Sequence, residues 1–256
     1  MGGGRARYLL LGGHGMLGTD LRALIRDRDV LAPRSSEVDI RDADAVAEAA
    51  DGVEVVINAA AYTRVDDAES HEEDARAVNA LGAENAARAA ARAGAGFVQI
   101  STDYVFSGRS DEPYREDAPR DPLGAYGRTK AEGEERVLAA HPSPYIVRTA
   151  WLYGAAGPNF ARTILTLAAR RDTVSVVTDQ VGQPTWSRDL AGWILDLIRA
   201  DAAPGIYHGT NAGSTSWFAY ARALFENAGL DPERVQPTDA ASFPRPTPRP
   251  AYSVLA

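Results

Sequence analysis

The sequence predicts a doubly wound α/β fold, a Rossmann-like parallel sheet with helices on both faces and a small C-terminal substrate-binding lobe. Three observations predict it. Short apolar runs alternate with longer Ala-rich stretches through the first 150 residues. The runs are apolar on both faces, as strands of a covered parallel sheet are. The first run leads straight into a glycine-rich turn followed by a helical pattern. At 256 residues the chain suits one large domain, or one domain with an added lobe, and can bury about three quarters of its unfolded surface.

Tyr8–Leu11, Val30–Leu31, residues 53–59, residues 97–101 and Tyr145–Thr149 read as strands, each short and bounded by turn residues. Helices fill the intervals at residues 16–28, Ala43–Ala49, residues 72–93 and Ala125–Ala140, whose Ala, Glu and Arg content favours the helix. Right-handed crossovers then place helices on both faces. Beyond Thr149 the pattern loosens into a helix at 160–170, a strand at Val174–Val177, a helix at 190–199, a strand at 206–208 and a helix at 217–228. The expected organisation is a dinucleotide-binding domain over residues 1–150 and a mixed α/β substrate-binding lobe over residues 151–256, with some return to the first domain. Five of the fifteen prolines fall between Pro237 and Pro250. Such a segment forms neither a helix interior nor a central strand and reads as an extended surface loop.

Composition excludes several functions. Lys and Arg number 27 against 35 Asp and Glu, a net charge of -8, which argues against a nucleic-acid partner because phosphate-backbone binding needs a concentrated cationic face. No cysteine is present, so disulfides, thiolate metal sites and cysteine nucleophiles are out. His14, His71, His141 and His208 have no zinc-ligand spacing, and no metal is inferred. No run approaches the ~18 apolar residues that span a bilayer, and the basic start at Arg5 and Arg7 lacks the apolar region of an export signal. No membrane partner and a cytoplasmic location are expected.

The chemistry begins at Gly12-Gly13-His14-Gly15-Met16-Leu17-Gly18. Gly12 permits the sharp turn, Gly15 lets backbone approach a pyrophosphate, and Gly18 lets helix and strand pack closely, while the helix start offers unpaired N–H groups. Arg34 and Ser35 follow the second strand where an NAD site usually has an acid, so NADPH is the expected cofactor, with NADH allowed; a solvated surface arginine is the competing reading. Asp39 and Ile40 suit an adenine edge and face, or Asp39 is a helix cap. Ala59, Ala60, Ala61 and Thr63 close the third strand with small side chains that leave room for a ribose. Tyr126 and Lys130 stand four apart and so share a helix face. An ammonium and a positive nicotinamide there would lower the tyrosine pKa, and Lys130 would also hold the nicotinamide ribose. Thr102, at the end of the fourth strand, adds a hydroxyl for a substrate carbonyl.

With those residues placed, the chain resembles the dTDP-4-dehydrorhamnose reductases, extended short-chain dehydrogenases/reductases of deoxysugar nucleotide synthesis. The likeness runs through Gly12 to Gly18, Asn58-Ala59-Ala60-Ala61-Tyr62-Thr63-Arg64-Val65-Asp66, Ser101-Thr102-Asp103-Tyr104-Val105-Phe106, Tyr126 to Lys130, Arg148 to Gly154, Asp179-Gln180-Val181-Gly182-Gln183-Pro184-Thr185-Trp186, Gly205 to His208 and Arg249 to Leu255. It implies reduction of the 4-keto group of dTDP-4-dehydro-L-rhamnose to dTDP-L-rhamnose by NAD(P)H. By that resemblance Tyr126 protonates the alkoxide, Lys130 tunes it, and Thr102 hydrogen-bonds the carbonyl. The substrate side would involve Val65, Thr102, Asp103, Tyr104, Tyr126 and Trp151, although Tyr104 and Trp151 also read as core aromatics and Asp103 as a solvated carboxylate. The family usually continues past Arg249 to Leu255 into a terminal helix, whereas this sequence stops at Ala256. That difference puts in doubt the closing of the substrate lobe and any metal or dimer contact that the tail provides in some relatives; a dTDP-sugar is the expected partner, with a homodimer a further candidate. Two other functions fit the same fold: reduction of a different dTDP-4-keto-6-deoxyhexose, and a binding role like that of the regulatory subunit of methionine adenosyltransferase.

Overall fold

The computed structural model describes residues 7–25 and 29–256. Six parallel strands form the central sheet: β1 (Tyr8–Leu11), β2 (Val30–Leu31), β3 (Val55–Asn58), β4 (Gly96–Thr102), β5 (Tyr145–Thr149) and β6 (Gly205–His208). Their spatial order is β6-β5-β4-β3-β1-β2. The order reverses direction between β1 and β3, the position at which ligands bind beyond the carboxyl ends of the strands in such sheets. Register brings those ends level: Leu11 lies beside Asn58, and Thr102 beside Thr149.

Side-chain alternation decides which helices cover which face. Leu10, Ile57, Val98 and Val147 point to one side, where they meet Leu17 and Leu21 of α1 (Met16–Leu24) and Leu190 and Ile194 of α7 (Ser187–Arg199). Leu9, Val56, Phe97 and Ile146 point to the other, against α2 (Ala43–Ala49), α4 (Ala83–Ala93) and α5 (Ala125–Ala140). A second core, made by Ile164 of α6 (Phe160–Ala168), Ala221 and Phe225 of α8 (Trp217–Asn227), and Val174, Val176 and Val235, lies in the outer half. Among the described residues no helix is long and apolar enough to cross a membrane.

Part of the second half joins the main sheet: β6 pairs with β5 and α7 packs in the core shared with α1. Three expected elements take a different course. The helix expected at 72–93 is α3 (Glu72–Arg76), a π-helical turn at Ala77–Gly82, and α4. The widened turn carries Asn79, whose side chain accepts from the Tyr62 backbone N–H at 2.8 Å and donates to the Thr129 hydroxyl at 3.1 Å. Those bonds tie the loop after β3 to α5, a use of π turns common near functional sites. The first helix ends at Leu24, and residues 26–28 of the expected span lie outside the described residues.

The proline segment is only partly loop. Val235–Thr238 pairs in parallel with Val174–Val177, setting Pro237 opposite Val176 in a two-stranded ribbon. A ribbon of two strands is all edge, where proline is tolerated. Further on, Thr247 is buried, and its hydroxyl donates to the Val65 carbonyl at 2.9 Å.

Candidate active site

Every residue singled out from the sequence as a catalytic, cofactor or substrate candidate lines a single cleft of about 1100 Å³ at the carboxyl edge of the sheet. The glycine turn forms its floor. Gly12 adopts φ +77°, and a Cβ there would stand 2.5 Å from the Ala60 nitrogen, so the turn and the end of β3 pass with no room for a side chain. A Cβ on Gly18 would stand 2.3 Å from the Gly12 carbonyl oxygen. Both obstructions are backbone, which cannot swing aside. Gly18→Ala is therefore expected to cost about 1–3 kcal/mol in a denaturant titration through forced separation of α1 from β1, and to weaken dinucleotide binding measured by fluorescence titration. Gly15 caps α1 without a side-chain hydrogen bond, and no acidic residue occupies the first turn, leaving the leading N–H groups for an anionic ligand.

The rim is set by the end of β2. His14 Nε2 lies 3.1 Å from the Ala32 carbonyl, joining the glycine turn to the segment that carries Arg34 and Ser35. Arg34 is exposed, and among the described residues its guanidinium has no partner. Asp39 does not cap α2; Asp42 does, accepting from the Asp44 and Ala45 N–H groups. The Asp39 carboxylate instead receives both arms of Arg41, at 3.0 and 2.6 Å, which hold it below the usual carboxylate range. Ile40 is buried against Gly82.

The inner wall carries Thr102, Tyr126 and Lys130. Gly127 lets α5 seat against the end of β4, since a Cβ there would be 2.2 Å from the Tyr104 carbonyl oxygen. Tyr126 meets Tyr104 edge to face, with ring centroids 5.7 Å apart. Thr102 Oγ1 accepts from the Tyr104 N–H at 3.2 Å and donates to Asp103 Oδ1 at 3.0 Å. Burial pushes Tyr126 up to about 12, against the opposing pull of the Thr102 hydroxyl. The expected lowering by Lys130 is not what the structure shows. The ammonium points to the sheet and donates to the Ile100 carbonyl at 2.7 Å, while its own burial brings it down to about 8, opposed by the charge of Glu134. Asp103 is buried, not solvated. Desolvation raises it to about 6, against the hydroxyls of Ser253 and Thr102, and its Oδ2 makes no hydrogen bond among the described residues.

Trp151 sits at φ +44°, a left-handed conformation costing a non-glycine residue about 1–3 kcal/mol. Two neighbours hold it there. A Cβ on Gly182 would be 2.4 Å from the indole, which explains the glycine in Asp179-Gln180-Val181-Gly182. The second is Trp217, stacked at 3.4 Å between centroids and 6° between planes.

Sequence reading missed several residues of this site. Trp217 lines the cleft from the start of α8, and Thr149 adds a buried hydroxyl with no partner among the described residues. Behind Lys130, Glu134 accepts from Ser101 Oγ at 2.5 Å and pairs with Arg148 at 2.7 Å, both charges fully enclosed. A second cleft of about 570 Å³ adjoins the first, sharing Tyr104 and Trp217 with it. It combines Phe160, Ile164 and Val176 with Arg245 and Arg249.

A glycine cradle at a reversal of strand order, facing a Thr, a Tyr and a Lys one helical turn on, defines the class of extended short-chain dehydrogenases/reductases. The chain matches the model of the family described as RmlD substrate binding domain over residues 6–256. It belongs to that family, the family of the dTDP-4-dehydrorhamnose reductases. A dTDP-4-dehydrorhamnose reductase of Mycolicibacterium smegmatis is 48% identical over 254 residues, 98% of this chain and 78% of the relative. A probable dTDP-4,6-dihydroxy-2-methyloxan-3-one 4-ketoreductase of Streptomyces antibioticus is 46% identical over 97% of this chain and 86% of its own length. The crystal structure of dTDP-4-dehydrorhamnose reductase from Bacillus anthracis in complex with NADP superposes with a TM-score of 0.94 at 37% identity, covering 99% of this chain and 91% of that one.

Proposed function

We propose that this chain reduces the 4-keto group of dTDP-4-dehydro-L-rhamnose with NADPH, giving dTDP-L-rhamnose. The observation that carries the reading is one continuous cleft, with the glycine cradle of Gly12 and Gly18 at one end and Thr102, Tyr126 and Lys130 at the other. The cradle fits a dinucleotide, because its backbone passages would be filled by any Cβ and its helix start is uncapped by side chains. When bound, NADPH supplies the hydride that adds to the carbonyl carbon.

The protein's own groups manage the other half of the reaction. As the carbonyl oxygen gains negative charge, the Tyr126 phenol gives up its proton to it. A phenol raised to about 12 stays protonated at neutral pH and is still a stronger acid than the alcohol formed, so the transfer is downhill. The Thr102 hydroxyl, turned away from Asp103 Oδ1, donates a hydrogen bond to the same oxygen, and the Lys130 ammonium, held on the Ile100 carbonyl, acts on the phenolate left behind through its charge and not by direct contact. The free Oδ2 of Asp103 is a buried acceptor in search of a donor, and a sugar hydroxyl satisfies it. In the second cleft, Arg245 and Arg249 share one carboxylate, that of Asp66, at 3.4 and 2.9 Å. Two cations on one anion leave a positive charge for the substrate diphosphate, with the apolar floor below for the base.

In this reading residues 1–150 bind the dinucleotide, residues 151–256 bind most of the sugar nucleotide, and the reaction takes place in the cytoplasm. The test is loss of reduced nicotinamide on mixing with the 4-keto sugar nucleotide; retained NADPH binding without turnover would overturn the assignment. The Streptomyces antibioticus relative makes other dTDP-4-keto-6-deoxyhexoses the comparison substrates. Arg34→Ala should raise the Kd for NADPH about tenfold and leave NADH unchanged, as loss of a charge-assisted phosphate contact would. Equal discrimination in that variant removes Arg34 from the cofactor site.

A further inference from the structure

We propose that Trp217 is a positioning residue for sugar reduction: its stack on Trp151 fixes the ring that orients the sugar nucleotide where the two clefts join. This deepens the reductase reading and rests on it. Trp217 and Tyr104 are the residues common to both clefts, so Trp217 stands at the passage between the diphosphate-binding arginines and the catalytic hydroxyls.

Trp151 cannot set its own position. Its backbone is in the left-handed region, at φ +44°, and its carbonyl is tied to the Thr185 N–H at 3.2 Å. Gly182 leaves room for the indole but supplies no side chain to grip it. The Gly182 backbone packs on one part of the indole, and the near-parallel overlap with Trp217, 6° between planes, supplies the side-chain constraint on its orientation. Trp217 is itself anchored, with Phe160 4.3 Å away between centroids and its helix start capped by Ser216. The flat pair therefore makes a rigid wall between the clefts, and wall orientation matters because misplacing a substrate by about 1 Å can cost about 10²-fold in rate. Trp217 acts through Trp151 in this account, so removing it should damage substrate use and spare the dinucleotide, whose cradle lies at the other end of the cleft.

The test measures steady-state kinetics with dTDP-4-dehydro-L-rhamnose, NADPH binding and circular dichroism on wild type, Trp217→Ala, Trp217→Phe, Trp151→Ala and the double alanine variant. Wild-type turnover decides the reductase reading separately. Given turnover, Trp217→Ala should raise the KM for the sugar nucleotide about tenfold and lower kcat severalfold, with the NADPH Kd within about twofold of wild type. Trp217→Phe, which keeps a ring in the stack, should hold KM within about threefold. The exciton couplet of the paired indoles should vanish in every variant. The double variant should be no worse than Trp151→Ala alone. A role confined to packing predicts additive losses, or a lowered Tm with KM and kcat unchanged, and either result overturns the proposal. Should the alanine variant fail to fold, Trp217→Leu fills the volume without a flat ring and carries the same expectations.

Discussion

Tyr126→Phe is expected to lower kcat by about 10²–10⁴-fold, the range associated with a positioned proton donor, while the Kd for NADPH stays within about twofold. The asymmetry follows from where the hydroxyl sits. Its neighbours are Thr102 and the edge of the Tyr104 ring, on the wall opposite the glycine cradle. The phenyl ring of the variant would preserve the aromatic contact that fixes α5 against β4. Only the proton is lost, and water cannot replace it easily at a position so enclosed that desolvation is the main cause lifting the phenol to about 12. The measurements are single-turnover oxidation of NADPH with the 4-keto sugar nucleotide and a fluorescence titration with NADPH. Activity equal to wild type would show that another group protonates the product; Asp103, raised to about 6 by desolvation, is the nearest alternative donor and would then give a rate that falls as pH rises through about 6. With Tyr126 as donor, no such fall is expected.

Local patterns carried most of this site into the sequence. The glycine turn and the Tyr-x-x-x-Lys pair are contiguous, and their geometry follows from strand, turn and helix alone, so their residues meet in the cleft as their spacing implies. Trp217, Arg245 and Arg249 reach the site from more than sixty residues beyond Trp151, through a pairing of ribbons that no local period encodes. The same reason hid the neighbour of β6, a strand expected at residues 206–208: which strand it pairs with depends on α7 turning the chain back beside β5. One signal was present and unread. Arg148 is a charged residue inside the apolar run Tyr145–Thr149, and Glu134 follows Lys130 by one helical turn. A buried arginine in a strand needs an enclosed partner, and Glu134 was the candidate on the adjoining helix.

That enclosed pair bears on the second large effect, Lys130→Met, for which activity and stability should separate. Loss of the positive charge that Lys130 places in the wall of the cleft is expected to reduce kcat/KM about 10²-fold. Stability follows a different course with pH. Lys130 falls from an ordinary value of 10.5 to about 8 in the fold because burial disfavours its charged form, and the nearby Glu134 carboxylate recovers only part of the loss. A group whose folded pKa is depressed contributes its stability above the unfolded value, and that contribution is lost as pH falls through the folded one. At neutral pH the wild type therefore bears the cost of an enclosed ammonium, eased by the Ile100 carbonyl at 2.7 Å, and the methionine variant does not. Between pH of about 8 and about 10.5 the lysine is neutral in the fold but still charged when unfolded, so the wild type should gain on the variant across that window. Urea unfolding of both proteins from pH 7 to pH 10 checks this: the free-energy difference, variant minus wild type, should decrease steadily as pH rises. A difference independent of pH would mean that Lys130 keeps its ordinary affinity for the proton, and the ammonium would then be held by Glu134 strongly enough to cancel its desolvation.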